Sequence, residues 1–378
     1  MPTDQELIRQ YASLGPNELA EQIADRKKQL GSRLCILGHH YQTDEVIRFA
    51  DFRGDSLKLS QLAGGQEDAE YIVFCGVHFM AESADILSAD NQTVCLPNMR
   101  AGCAMADMAD NLAVESALEE VAGQIDRKIV PISYVNSTAA IKSVTARHGG
   151  ACCTSSNVRN VFEWALADTD DGGAGADKVF CIPDQHLGRN TAVAMGYSLD
   201  DCVVYDPTLP DGGLTREQIR EAKFILWKGH CYVHQLFLPD DVKRIRDEVP
   251  GVYVIVHPEA PHEVVQLADA AGSTSQIIAA VEEAEPGSRI AIGTEMHLVN
   301  RLANQYDNKE IHLLSDRPAA CIQMARIDLP HLLWVLDGLV QDQPRNPIRV
   351  PEDIAADARI ALQRMIDIRA VSGITKKK

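Results

Sequence analysis

LCILGHHYQTDEVIRFADF (34–52) opens on an unbroken apolar run, breaks at a glycine and two histidines, and then changes to helical spacing. The apolar run does not alternate, which is the character of a strand covered on both faces in a parallel sheet. Working outward, the same kind of run recurs at YIVFCGVHF (71–79), TVCLP (93–97), KIVPISYVN (128–136), KVFCIP (178–183), KFILWKG (223–229), VYVIVHPE (252–259), RIAIGTE (289–295) and EIHLLS (310–315). Helical patterns lie between them, among them TDEVIRFADF (43–52), ESADILSA (82–89), TREQIREAK (215–223), PHEVVQLADAAG (261–272) and EMHLVNRLANQ (295–305). Repeated βα units predict an α/β protein with right-handed crossovers. DTDDGGAGAD (168–177) reads as a surface loop and SGITKKK (372–378) as a frayed tail.

The chain of 378 residues is long enough for two or three domains at roughly 100–200 residues each. Its 36 Lys+Arg against 54 Asp+Glu leave a net charge of −18, which argues against nucleic acid and anionic lipid as partners. No apolar run approaches the ~20 residues of a membrane span. MPTDQELIRQ at the start has neither the basic head nor the apolar stretch of a secretory signal, so the expected location is the cytoplasm. Ten cysteines there are expected to stay reduced. No CxxC pair occurs, which disfavours a zinc ribbon, a thioredoxin site and a ferredoxin-type run. Neither GxGxxG nor GxxxxGK[ST] occurs, so no dinucleotide or nucleoside triphosphate is implied.

Aligned by eye, the chain repeats three times. Each repeat opens with a strand ending in polar residues: HHYQ (39–42), SYVN (133–136) and HPE (257–259). A small hydroxyl-rich turn follows: GDS (54–56), CTSSN (153–157) and GSTSQ (272–276). A fourth strand is followed within a few residues by Cys103, Cys231 or Cys321. If three such units pack about a pseudo-threefold axis, their strand ends converge and bring these cysteines together. Three thiolates suit a soft metal or an iron–sulfur cluster and leave a position open to substrate; separate core cysteines are the plain alternative. The hydroxyl turns suit anionic groups at helix starts, or are ordinary N-caps. His39 and Tyr41, and His257 with Glu259, are the acid–base candidates. His230 and His234 flank Cys231, either as supports of a ligand or merely packed.

HHYQ, GDSLKLS, FMAESA, GCAMAD, SYVNSTAAIK, CTSSN, WKGHCYVH, HPE, GSTSQII, GTE and the final Cys321 with IQMARI run in the order seen in quinolinate synthases, over roughly residues 34–340. The chain resembles that family. The resemblance implies three Rossmann-like αβα units around a pseudo-threefold axis, with boundaries expected at 1–113, 114–232 and 233–321, the segment 322–378 joining the first. It implies a central [4Fe–4S] cluster held by Cys103, Cys231 and Cys321 with one open iron acting as a Lewis acid. The implied reaction, a transferase-class condensation, joins iminoaspartate to dihydroxyacetone phosphate and gives quinolinate, phosphate and water for pyridine-nucleotide synthesis. An oxidase supplying iminoaspartate is the implied protein partner. Site residues carried over are His39, Tyr41, His257 and Glu259 for proton transfer, with Ser56, Tyr134, Asn136, Ser155, Ser273 and Thr274 completing the pocket. His40, where the family often shows Asn, CIQMAR after the last cysteine and the 168–177 loop depart from the family pattern. Two rivals stand beside this reading: a metal-dependent lyase or aldolase without a cluster, and an iron–sulfur redox sensor.

Overall fold

The non-alternating runs form parallel strands in three sheets. The computed structural model describes residues 9–66, 68–368 and 375–376. β1 (Leu34–His39), β2 (Phe52–Gly54), β3 (Tyr71–Cys75) and β4 (Thr93–Cys95) make the first sheet, in the order β2-β1-β3-β4. β5 (Ile129–Tyr134), β6 (Ala151–Cys153), β7 (Lys178–Ile182), β8 (Cys202–Tyr205) and β9 (Phe224–Trp227) make the second, in the order β6-β5-β7-β9-β8. β10 (Tyr253–Val256), β11 (Ala270–Ala271), β12 (Arg289–Gly293) and β13 (Glu310–Leu313) make the third, where β14 (Thr375–Lys376) adds an antiparallel edge: β13-β12-β10-β11-β14. Every residue of β1, β3 and β7 is buried, as the lack of alternation requires.

The three sheets share the arrangement of their first three strands. The first strand of each lies between the second and the third, so the chain reverses its direction of travel across the sheet beside that first strand. In an open parallel sheet the crevice beyond the strand C-termini at such a reversal is where ligands bind. His39, Tyr134 and His257 stand at those ends, on β1, on β5 and directly after β10.

By internal packing the chain forms two compact units. One comprises the chain up to Cys103 with Cys321–Pro351; the other comprises Ala104–Ala320 and the segment from Glu352 onward. Within the first, the helix Pro16–Leu30 packs along the helix Leu329–Val340. Within the second, the helix Glu352–Asp367 covers the helix Ala139–Arg147 and β6.

Two expected helices are shorter than their periodicity suggests. TDEVIRFADF is helical only over Asp44–Ile47, and PHEVVQLADAAG only over His262–Leu267. The reason is the same in both. Asp51 N–H donates to Ile36 O at 2.8 Å while its carboxylate accepts Ile36 N–H at 2.8 Å. Asp269 repeats this against Val254, at 2.9 and 2.8 Å. Each aspartate draws the chain back to the central strand, and β2 or β11 follows at once. Residues 168–177 are irregular apart from one turn at Thr169–Asp171, as expected of a loop. The expected fray of SGITKKK is corrected for Thr375 and Lys376, which pair with β11; its other residues lie outside the described ones.

Candidate functional site

In the first compact unit, β1 delivers His39 buried at its last position. Tyr41 N–H donates to His39 Nδ1 at 3.1 Å, and the two rings meet edge to face at 4.7 Å. An imidazole accepting at Nδ1 carries its proton on Nε2 when neutral, which fixes the tautomer of His39. Ser56 opens the helix Ser56–Gly64, capped by Asp55, whose carboxylate accepts Lys58 N–H at 2.9 Å. Gln42, next to Tyr41, donates through Nε2 to Met324 O at 3.1 Å, tying this strand end to the turn after Cys321.

The second compact unit holds the denser cluster. His257 repeats the arrangement of His39: its Nδ1 accepts Glu259 N–H at 3.3 Å, and its Nε2 faces Ser155 Oγ at 3.2 Å. His234 stacks on His257 with ring centroids 4.4 Å apart and planes at 18°. His234 Nδ1 meets Glu259 Oε2 at 2.7 Å, with both side chains 2% exposed, and its Nε2 meets Thr294 Oγ1 at 3.1 Å. The Tyr134 hydroxyl donates to the same Glu259 carboxylate. Burial alone would push Glu259 up, but the imidazoles of His234 and His257 and the hydrogen bonds from His234 and Tyr134 hold it down, at about 2. Asp184 lies near it, and the two buried carboxyls diverge. Burial and the charge of Glu259 push Asp184 well above the carboxylate range, against the N–H groups of Leu187, His186 and Cys231. Glu259 has the imidazole partners, so of the two it is the one favoured to carry the charge.

The structure therefore brings Tyr134, Ser155, His257 and Glu259 together as expected of one site. Asn136, two residues past β5, holds a buried Oδ1 with no hydrogen-bond partner among the described residues, an acceptor a ligand would satisfy. Ser273 is an N-cap: it forms a capping box with Gln276, and Thr274 opens the helix behind it. His234, left in sequence between ligand support and packing, is central. Its position three residues after Cys231 was the available signal; the stacking on His257 and the bond to Thr294 join distant segments and leave no local trace.

The cysteines divide cleanly. Burial raises seven thiols: Cys35, Cys75 and Cys95 to about 12, Cys202 to about 11, and Cys152, Cys153 and Cys181 likewise upward. These stay thiols and make poor ligands. Cys103, Cys231 and Cys321 are half-buried, on loops beyond β4, β9 and β13. After each of the three, a short turn begins three residues on, at Ala106, His234 and Met324. After each, a helix begins eight residues on, at Asn111, Pro239 and Leu329. Cys202 is half-buried too but opens β8, level with the first residue of β9 and so at the other end of that sheet from Cys231. A soft donor set of three thiolates on equivalent loops fits an iron–sulfur cluster. Donor atoms of Cys231, His234 and Glu259 also lie within 4.8 Å of one another. Both ring nitrogens of His234 are already engaged there, which weighs against a single metal ion in that trio.

The family model described as Quinolinate synthetase A protein matches residues 21–367. The chain belongs to the quinolinate synthase family. It is 51% identical over 363 residues to the quinolinate synthase of Acidobacterium capsulatum, covering 95% of each chain. It is 50% identical over 366 residues to that of Geobacillus kaustophilus, covering 96% of this chain and 97% of the relative. Against that of Streptomyces coelicolor it is 50% identical over 353 residues, covering 92% and 88%. The resemblance read from the motifs is borne out, and with it an enzyme of pyridine-nucleotide synthesis. Among the described residues no helix is long and apolar enough to cross a membrane.

One residue bonded to Gln235, the neighbour of His234, sets a pH limit on stability. His186 Nε2 donates to Gln235 Oε1 at 2.7 Å, and its Nδ1 lone pair faces the Arg189 guanidinium at 3.4 Å. Burial holds this imidazole down at about 4, with Arg189 and His230 adding to it against the Gln235 bond. The unfolded chain takes up the proton near 6.5, so the contribution is full above pH 6.5 and is lost as pH falls toward 4. The total is about 3 kcal/mol at ~1.4 kcal/mol per unit. Thermal unfolding from pH 7 to 4.5 should therefore show a steeper fall for wild type than for His186→Gln. Parallel curves would contradict this.

Proposed function

We propose that the chain condenses iminoaspartate with dihydroxyacetone phosphate, giving quinolinate, inorganic phosphate and two molecules of water. We further propose three αβα units, at 1–113 with 322–378, 114–232 and 233–321, about a pseudo-threefold axis. β1–β4 fall in the first interval, β5–β9 in the second and β10–β13 in the third, while β14 and the helix Glu352–Asp367, from the 322–378 segment, pack on the third and second sheets' elements. Cys103, Cys231 and Cys321 would hold a [4Fe–4S] cluster with one iron free of protein ligands. The observation that carries this is the common spacing from each cysteine to its turn and helix. A cluster so held supplies Lewis-acid chemistry through its open iron.

The chain's own residues do the rest. Ser155, held against His257 Nε2, and the helix starts at Ser56 and Thr274 offer donors to the phosphate and carboxylates. Asn136 Oδ1 takes a hydrogen bond from the nitrogen or a hydroxyl of the substrates. Tyr41, oriented by its backbone contact with His39, moves the protons of isomerisation and ring closure. Glu259 is an anion between two donors, so it accepts a proton and does not supply one; His257 and Tyr41 supply the protons that leave as water. Reduced thiols throughout the chain suit the cytoplasm as the place of work, and an iminoaspartate-producing oxidase is the partner this substrate requires.

The test is stoichiometry. Under anaerobic conditions with both substrates, phosphate and quinolinate should appear in equal amounts, and neither should appear when iminoaspartate is omitted. Phosphate released from dihydroxyacetone phosphate alone would overturn the reading.

A further inference from the structure

Asn190 lies on the helix Gln185–Ala194, behind β7, and is 5% exposed. That helix is capped by Asp184 and lies close on its sheet. A Cβ at Gly188 would stand 2.7 Å from Leu226 Cδ2 and 3.2 Å from Cys181 Sγ, so only glycine permits the approach. From there Asn190 reaches out of the second sheet to the strand end of the third. Its Nδ2 donates to Pro258 O at 2.8 Å and to Ala260 O at 2.9 Å. Its Oδ1 lies 2.8 Å from His262 Nδ1. The orientation of the amide is fixed by chemistry, because two carbonyls only accept, so the NH2 group must face them. Oδ1 then faces His262, whose Nδ1 must carry the proton.

The first carbonyl belongs to the peptide that carries the Glu259 N–H, the second to the peptide following Ala260. We propose that Asn190 is a positioning residue for the reaction: it holds the 258–259 peptide, which carries the Glu259 N–H, together with the 260–261 peptide just beyond, and so sets His257 and Glu259 against Ser155 and Tyr134. Both of those partners come from the second sheet, on β5 and after β6, as Asn190 does. One side chain therefore registers the third sheet's acid–base pair on the second sheet's binding residues. Asn190 itself meets neither Glu259's carboxylate nor His257's ring in any of these three bonds. It acts through backbone, and it rests on the role given to Glu259 above.

Asn190→Asp keeps the size and the bond from His262 but turns a carboxylate oxygen toward two carbonyls. Asn190→Ala removes the clamp without adding charge, and serves if the first variant does not fold. Two readouts are taken on cluster-loaded protein. Backbone hydrogen exchange, read by mass spectrometry over residues 255–262, should accelerate about tenfold, while peptides from β1 and β3 stay as in wild type. Turnover at saturating substrates should fall about 10²-fold, the scale of a misplacement of about 1 Å. Added to Glu259→Gln, the Asn190 change should cost nothing further, because both act on one group. Unchanged exchange over 255–262 would overturn the clamp. Faster exchange with turnover kept would overturn the positioning role and leave a structural one. Wild-type turnover in Glu259→Gln, with exchange still faster in the Asn190 variants, would instead overturn the role of Glu259 while the clamp stood.

Discussion

Replacing Cys103, Cys231 or Cys321 with serine, one at a time, is expected to strip the iron and end quinolinate formation. The hydroxyl of serine stays protonated where a thiolate would bind, and three ligands leave no redundancy. Disturbing the mere supports of a metal ligand commonly costs 10–100-fold, so loss of a ligand itself should exceed about 10²-fold. The controls are the buried thiols. Cys35, Cys75 and Cys95 are held as thiols at about 12 by burial, and replacing any of them should leave the iron content near that of wild type. Cys202, half-buried but at the far end of its sheet, belongs with the controls. Iron analysis and visible absorbance of anaerobically purified variants decide it. A full complement of iron in Cys321→Ser would remove the three-ligand assignment.

Glu259→Gln should be nearly as damaging. The substitution keeps the volume and one carbonyl acceptor, and removes the charge that faces His234, His257 and the Tyr134 hydroxyl. If Glu259 accepts a proton during the dehydrations, turnover should fall by about 10²–10⁴-fold with iron content and unfolding temperature kept. The carboxylate is held at about 2, so the pH–rate profile of wild type should show no limb from this group above about pH 3. Turnover within a few-fold of wild type in Glu259→Gln would transfer the role to Tyr41 and His39.

The sequence alone carried the central strands, because a strand buried on both faces leaves a run without alternation, as in β1 and β7. It also carried the phase of the three cysteines and the helix starts at Ser56 and Thr274, since small hydroxyl and acidic residues cap helices. The short strands β2, β6 and β11 were not legible. At two or three residues each they have no period to read, and two of them are set by Asp51 and Asp269 reaching across to a neighbouring strand. β8 was missed for a related reason: three of its four residues are only half-buried at the sheet edge, which blunts the apolar run. At the site, groups at strand ends could be named, but contacts between them could not. His234 stacked on His257, and Asn190 bridging to Pro258 and Ala260, join residues 23 and about 70 positions apart. Nothing within a local window records such pairs.

The most direct measurement of the whole account is quinolinate formation before and after the iron is removed. Anaerobically prepared protein, given iminoaspartate and dihydroxyacetone phosphate, should form quinolinate and contain four irons and four sulfides per chain, the content of one cubane cluster. Stripping the iron under chelation should stop turnover, and rebuilding with iron and sulfide should restore it. Zinc should not. Undiminished quinolinate formation by iron-free protein would contradict the account.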